Sequence, residues 1–380
     1  MIKLTSEAGF LLLIVVLMTL PRALQRWRVP TPISCFGLGM LAAALPLPLP
    51  DATLLGMLAT FGISSLFLAA GLEIDTADLR RGAWPLLGNL VARVVSLTVC
   101  SVVAVHYLGV SWRVALLLAL ALLTPSTGFI LNTLPSLELD AEEVFWVKIK
   151  AIGGEILALA ALFVVLQSGA VAHLTLSVAS LLALITALRL GFIWLGRYIV
   201  PYAPGSEFSL LLTFGVVAAY LTYQLGVYYL VGAFVAGLLA KSLSARLPTL
   251  ASKVNLHAVE LFASFFVPFY FFNRGLLTPH QAFGPAALLG GVALSLVLLP
   301  LRIASVWAQR RWIKGEDSAT SLRVATALTP TLVFTLVIAS LLRERYGIAQ
   351  SWYGALLVYA GISTVIPALL MSRTRAPAPA

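Results

Sequence analysis

Charged residues are scarce in this chain of 380 residues: Asp, Glu, Lys and Arg together make up 11% of it. A water-soluble globule carries about twice that share, so the solvent of this fold is expected to be lipid. Cysteine is nearly absent. Cys35 and Cys100 lie inside apolar runs, without metal-ligand spacing or a disulfide framework, and both read as core packing. The histidines, His106, His173, His257 and His280, are too scattered for a metal site or a proton relay. A phosphate-binding loop, a dinucleotide fingerprint and a metal-hydrolase motif are missing as well. Neither a cofactor nor an ATP-driven step is therefore expected within this polypeptide, and the chain does not read as an enzyme. Strict apolar/polar alternation, the mark of a membrane barrel, is also lacking.

What is abundant is apolar sequence, 60% of the residues, in helix-length runs. Inside lipid every backbone N–H and C=O must be satisfied within the protein, so these runs are expected to be helices. The predicted fold is an all-α integral membrane protein of about 13 transmembrane helices. Their spans lie near 8–24, 31–45, 52–72, 83–107, 112–134, 142–167, 173–196, 206–225, 227–240, 255–277, 283–307, 319–342 and 350–371. The run from Phe10 to Leu20 has the length of a signal-peptide core, but no small-x-small cleavage site follows it and it counts as the first span. At Gln224 to Gly226 the chain can also dip and return instead of closing one span and opening another.

A net charge of +10 would suggest nucleic acid as the partner of a soluble protein; here the bases sit between spans and carry topology instead. The odd-numbered connections and the C-terminal tail hold Arg22, Arg26, Arg28, Arg80, Arg81, Lys148, Lys150, Arg189, Arg197, Lys241, Arg246, Lys253, Arg310, Arg311, Lys314, Arg373 and Arg375. The other side has Lys3, Arg113, Arg274, Arg343 and Arg345. This asymmetry predicts an N-terminus outside and a C-terminus in the cytoplasm, in the plasma (inner) membrane.

An internal repeat runs through the chain. Phe61, Phe67, Gly71 and Leu72 return as Phe265, Phe271, Gly275 and Leu276, 204 residues on, and Thr124-Pro125-Ser126 returns as Thr329-Pro330-Thr331 at an offset of 205. The paired spans are seven apart, an odd separation, so the repeat is inverted. Inverted repeats with matched helix breaks are the signature of a secondary transporter with its site near the midplane. Pro125 and Pro330 each lack an N–H and push the preceding Thr out of the helical region, so each helix must open. Open carbonyls, the hydroxyls of Thr124, Ser126, Thr127, Thr329 and Thr331, and half-helix dipole ends can then face a substrate. The bland alternative is a pair of simple proline kinks.

One acid lies deep in a span. Glu155 follows Gly153-Gly154 in the sixth span, close to the middle of a hydrocarbon core about 30 Å thick. Burial there disfavours its charged form unless a cation or a fixed positive group compensates it. A carboxylate that holds either a proton or a metal cation makes the two compete, and exchange follows if the site opens to one side at a time. The alternative is a structural ion pair with Lys148 or Arg302, and Arg302 can also snorkel to the nearby interface. Arg93, Asn89, Asn132, Asn273 and Glu260 read as helix-helix hydrogen bonders, and Glu73 and Asp75 as solvated residues at a helix end.

The stretches Phe67 to Glu73 (FLAAGLE), Thr124 to Leu134 (TPSTGFILNTL), Gly154-Glu155-Ile156, Gly232 to Leu239 (GAFVAGLL) and Phe262 to Leu276 ending FFNRGL together resemble the monovalent cation/proton antiporter-2 family. The match runs over most of the chain. It implies two six-helix inverted repeats: scaffold helices in 1–80 and 201–280 that also make a homodimer contact, a moving core in 81–168 and 281–380, and a linking helix in 169–200. It further implies that Thr124 to Thr127 and Thr329 to Thr331 are crossing broken segments, Glu155 the ion-binding acid and Arg302 the basic residue of the core. Departures are visible too. Family members usually carry Asp at the ion-binding place, often after a second polar or acidic residue, where this chain has Gly154-Glu155. The acidic Gly-Glu-Phe stretch of the potassium-efflux branch is replaced by Thr331-Leu332-Val333-Phe334.

The expected function is exchange of a monovalent cation, Na⁺ or K⁺, for H⁺, with the lipid bilayer as the surrounding partner and no nucleic acid. Symport of a small organic anion, held by half-helix ends and Arg302, is the second reading. A transport-inactive paralogue serving as sensor or partner subunit is the third.

Overall fold

The computed structural model describes residues 6–45, 51–74, 82–137, 139–168, 171–203, 205–226, 228–244, 246–250 and 252–371. Asp75, Arg80, Arg81, Lys3, Arg373 and Arg375 lie outside these residues, and the side chains of Asn132, His173 and Lys314 are not described. The described chain is helical, without a strand. In order, the helices are α1 Ser6–Leu24, α2 Thr31–Ala44, α3 Ala52–Leu72, α4 Ala83–Leu108, α5 Trp112–Leu123, α6 Thr127–Thr133, α7 Ala141–Gln167 and α8 Val171–Tyr198. There follow α9 Glu207–Gln224, α10 Tyr229–Ser242, α11 Lys253–Leu276, α12 Pro285–Gln309, α13 Ser318–Ala327, α14 Leu332–Tyr346 and α15 Gln350–Met371.

Each apolar run read from the sequence lies in a helix or a pair of helices, yet length separates them. Among the described residues nine helical stretches are long and apolar enough to cross a membrane, or ten with the bent pair α13–α14 as one span. Two of the three missing spans have a simple cause, and the third, α9, has 18 residues but is not among the qualifying stretches. Helices α2 and α10 have 14 residues each, about 21 Å at 1.5 Å per residue, short of a core about 30 Å thick. At the ambiguous boundary the chain does turn: α9 ends at Gln224 and Gly226, at φ +74°, takes the left-handed conformation that reverses the backbone into α10.

The helices divide into two compact units. One comprises Met1–Arg26, Thr31–Arg81 and Leu159–Thr278; the other Trp27–Pro30, Gly82–Ala158 and Pro279–Ala380. Helix α7 thus begins in the second unit and ends in the first.

In the first unit α3 packs against α9, α10 and α11, and α2 lies on α11. Backbones approach closely at glycine, as membrane helices do without a hydrophobic force between them. A Cβ on Gly71 would collide with Phe234 O on α10 and stand 2.8 Å from Leu238 N, and a Cβ on Gly275 would collide with Phe36 O on α2. These are the two glycines of the repeated pattern. Gly71→Ala is therefore expected to destabilise the protein by ~1–3 kcal/mol through overpacking, read as a lower melting temperature in detergent. Gly37→Ala, where a Cβ would meet nothing within 4 Å, is the control and should not melt earlier. Equal melting of both variants would refute the close approach. Of the two cysteines, Cys35 is buried in this unit, whereas Cys100, on α4 of the other, is only half-buried; α4 exposes most of its surface.

In the second unit α5 crosses α14, α15 packs against α12 and α14, and α4 lies on α5. Helix α14 is buried from Leu332 to Leu342, which is how a helix with Thr335 and Ser340 among apolar residues on all sides keeps its hydroxyls from lipid. Helix α7 is anchored at its start. Asp140 N–H donates to Glu143 Oε2 at 2.9 Å and Glu143 N–H to Asp140 Oδ1 at 2.8 Å, a reciprocal cap of the first turn. Glu143 also pairs with Arg323 of α13 at 2.7 Å, and Lys150 Nζ donates to Gln309 Oε1 of α12 at 2.8 Å. The Arg310 guanidinium lies over Trp146, 5.8 Å from the ring centroid, and pairs with Glu316. The part of α7 that carries Glu155 is thereby tied to α12 and α13.

Candidate functional site

All the residues singled out from the Thr-Pro repeat, together with Glu155 and Arg302, fall in the second unit. Pro125 forces Thr124 into an extended conformation, φ −82° and ψ 122°, and Ser126 is extended too, so α5 stops at Leu123 and α6 starts at Thr127, after a break of three residues. Around Pro330 the chain opens again, and α13 and α14 meet at a bend of 43°.

The two breaks touch. Ser126 N–H donates to Pro330 O at 2.8 Å. The Ser126 hydroxyl accepts from the N–H groups of Val333 and Phe334 at 3.0 and 3.3 Å. Those N–H groups belong to the first turn of α14, whose own N-cap Thr331 makes no side-chain cap. One broken helix therefore caps the other across 207 residues of sequence. Thr335 Oγ1 returns a bond to Ala121 O at 2.7 Å.

The carbonyls at the two C-terminal ends are also met. Arg302 Nη1 donates to Thr329 O at 3.0 Å and Nη2 to Leu328 O at 3.1 Å, closing the end of α13. Arg302 Nη1 also donates to the Tyr359 hydroxyl at 2.9 Å, and that hydroxyl donates to Leu122 O of α5 at 2.7 Å. Arg93 Nη1 donates to Leu123 O at 3.1 Å. These guanidiniums turn to helix ends that carry partial negative charge, and Arg302 points inward instead of snorkelling.

Glu155 and Thr127 are both buried. Thr127 is a neighbour of the Glu155 carboxyl, and Thr127 Oγ1 and Glu155 Oε2 are buried atoms that find no hydrogen-bond partner among the described residues. Among the described residues Glu155 joins no ion pair: Lys148 is exposed, and Arg302 donates to carbonyls and a phenol. A buried acid beside an open hydroxyl, with no cation of the protein on it, is a place that can take up a proton or a small cation.

The hydroxyls of Thr329 and Thr331 face elsewhere. Thr329 Oγ1 donates to Thr326 O at 2.8 Å and Ser363 O at 3.1 Å, and Thr331 Oγ1 lies 3.1 Å from Ser363 Oγ. Thr124 is buried at the end of α5. Sequence reasoning passed over Tyr359 and Ser363, which no local pattern distinguishes from packing residues, and read Arg93 as helix-helix glue. The visible signal for Arg93 was an arginine in a span otherwise free of charge.

Over residues 11–372 the sequence matches the family described as sodium/hydrogen exchanger, transmembrane. Among solved structures, the sodium proton antiporter MjNhaP1 from Methanocaldococcus jannaschii at pH 8 is similar with a TM-score of 0.69 at 12% identity, over 96% of this chain and 95% of that one. A structure of the same antiporter from a 3D electron-microscopy map gives 0.64 at 13% identity, over 97% and 96%. At such identities the likeness is one of fold. No curated protein matches the sequence.

Proposed function

Because the chain belongs to the transmembrane sodium/hydrogen exchanger family, whose members are transporters and not enzymes, we propose that it exchanges Na⁺ or K⁺ for H⁺ by alternating access around Glu155. The observation that carries this reading is the buried Glu155 carboxyl, with Oε2 unpartnered next to the unpartnered hydroxyl of Thr127. One carboxylate holds one proton or one cation, so the exchange is one for one and electroneutral. It draws nothing from the roughly 2.3 kcal/mol per charge per 100 mV of a membrane potential.

The scaffold is assigned to 1–80 and 201–280, with the homodimer contact, the moving core to 81–168 and 281–380, and the link to 169–200. Support comes from the division of the helices near Arg81 and Thr278. The anchor at the start of α7 also moves the acid together with α12 and α13. Thirteen spans in two inverted repeats, with the N-terminus outside and the C-terminus in the cytoplasm, put the starts of α7 and α13 on the same, cytoplasmic side, which agrees with the pairing of Glu143 and Arg323 near those starts.

Organic anion symport has one observation in its favour, the two guanidiniums of Arg93 and Arg302. Both donate to helix carbonyls, which argues against their holding a substrate carboxylate. The test is proton flux in proteoliposomes with each alkali cation in turn, at zero potential and at 100 mV. Exchange with Na⁺ or K⁺ at equal rates under both conditions is expected. Flux that appears only with organic acids would replace this reading with symport, and a dependence on potential would overturn the one-for-one count.

A further inference from the structure

Arg93 is a charged residue within a helix of the second unit that the exchange reading leaves without a task. It rises from α4 and lies against α7 at Gly154, the residue before the acid. A Cβ there would stand 2.9 Å from Arg93 Cζ and 3.1 Å from Nε and Nη1. A Cβ at 154 would therefore require the guanidinium to shift from this seat. Gly153 completes the bare surface, since a Cβ on it would run into the Leu86 side chain of α4. From this seat Arg93 Nη1 reaches Leu123 O at 3.1 Å, the last carbonyl of α5 before the break.

The arrangement repeats that of Arg302. Each broken helix ends in carbonyls with no downstream N–H to take them up, and each end receives a guanidinium from the neighbouring long helix: Arg93 on α4 for α5, Arg302 on α12 for α13. Three residues separate Leu123 from Thr127, the group that faces Glu155. Holding the end of α5 thus restricts where the three-residue break can place Thr127.

We propose that Arg93 is a positioning residue of the exchange site, which fixes the end of α5 and with it Thr127 opposite Glu155, and that position 154 is glycine to admit its guanidinium. The inference rests on the exchange reading of Glu155. It assigns Arg93 no contact with the ion.

A double-mutant cycle tests it with purified protein, measuring cation-dependent proton flux in proteoliposomes and melting in detergent. Arg93→Gln removes the charged donor and is expected to raise the KM for the cation about tenfold, the loss of one charge-assisted hydrogen bond, with the maximal rate little changed. Arg93→Lys keeps the charge and should retain most of the affinity. Gly154→Ala should displace the guanidinium and raise KM to the same degree, and the double variant should be no worse than either single one, because the two changes break one contact. An unshifted KM in Arg93→Gln, with only the melting temperature lowered, would reduce Arg93 to packing and overturn the proposal. Additive losses in the double variant would overturn the matched pair. A wild type silent with every cation would sink the exchange reading and the assigned role with it, and coupling in the melting cycle would still decide whether Arg93 and Gly154 form one contact.

Discussion

Glu155→Gln is expected to bring cation/proton exchange in proteoliposomes down to background while the protein still folds. The amide keeps the shape of the carboxyl and loses both of its charge states. It cannot bind the exchanged proton, and it offers a cation no negative charge. Two opposite charges about 4 Å apart attract by roughly 4 kcal/mol at an effective dielectric near 20, which corresponds to about a thousandfold in cation affinity. Stability should move the other way or not at all. Glu155 is buried, and no ion pair among the described residues rewards its charge, so replacing it with a neutral group of similar volume removes a desolvation cost. The melting temperature in detergent is thus expected to stay level or rise. Cation-induced stabilisation, present in the wild type through binding to the folded state, should disappear. Undiminished exchange in this variant would remove Glu155 from the mechanism.

How much of this site was legible depends on the kind of chemistry involved. Proline acts on its own helix, so Pro125 and Pro330 announced both breaks without any knowledge of the fold. Their meeting followed only from the repeat, and the structure joins them through Ser126 and Pro330 O at 2.8 Å. Hydroxyl roles were a different matter. Ser126, Thr127, Thr329 and Thr331 look alike in sequence, but a hydroxyl bonds whatever lies close by, and that is set by other helices, from 32 to 208 residues away for Ser126, Thr329 and Thr331. Ser126 caps α14, Thr329 and Thr331 turn to Ser363, and Thr127 faces the acid. Gly154 was read as a departure from a family pattern, because a bare position carries no sign of what fills it. The Arg93 guanidinium that fills it comes from another helix. Span number was legible only through apolar runs, which do not show that α2 and α10 stop at 14 residues.

Arg302 gives the second large expected effect, and its variants separate a helix-end clamp from a residue that merely reaches the interface. Its guanidinium serves Thr329 O, Leu328 O and the Tyr359 hydroxyl. Arg302→Met leaves the two carbonyls without this donor. Each buried acceptor so abandoned costs about 1–3 kcal/mol, so the variant should lose roughly 2–6 kcal/mol of stability and melt well below the wild type. Exchange should fall with it even in the fraction that folds, since the α13 end is bonded through Arg302 and Tyr359 to Leu122 O of α5. Arg302→Lys keeps a charge on a compact ammonium that lacks the planar fork and cannot serve all three acceptors in the same geometry. Its melting and exchange should lie between those of Met and the wild type. Tyr359→Phe removes the link to Leu122 O and one of the three acceptors of Arg302, but leaves both carbonyls served, and should cost less than Arg302→Met. A snorkelling arginine would produce a different order: Lys equal to the wild type, Met nearly so, and Tyr359→Phe without influence on Arg302. Measuring the three melting temperatures in one detergent distinguishes the two orders, and the second would mean that the α13 break is held by its backbone alone.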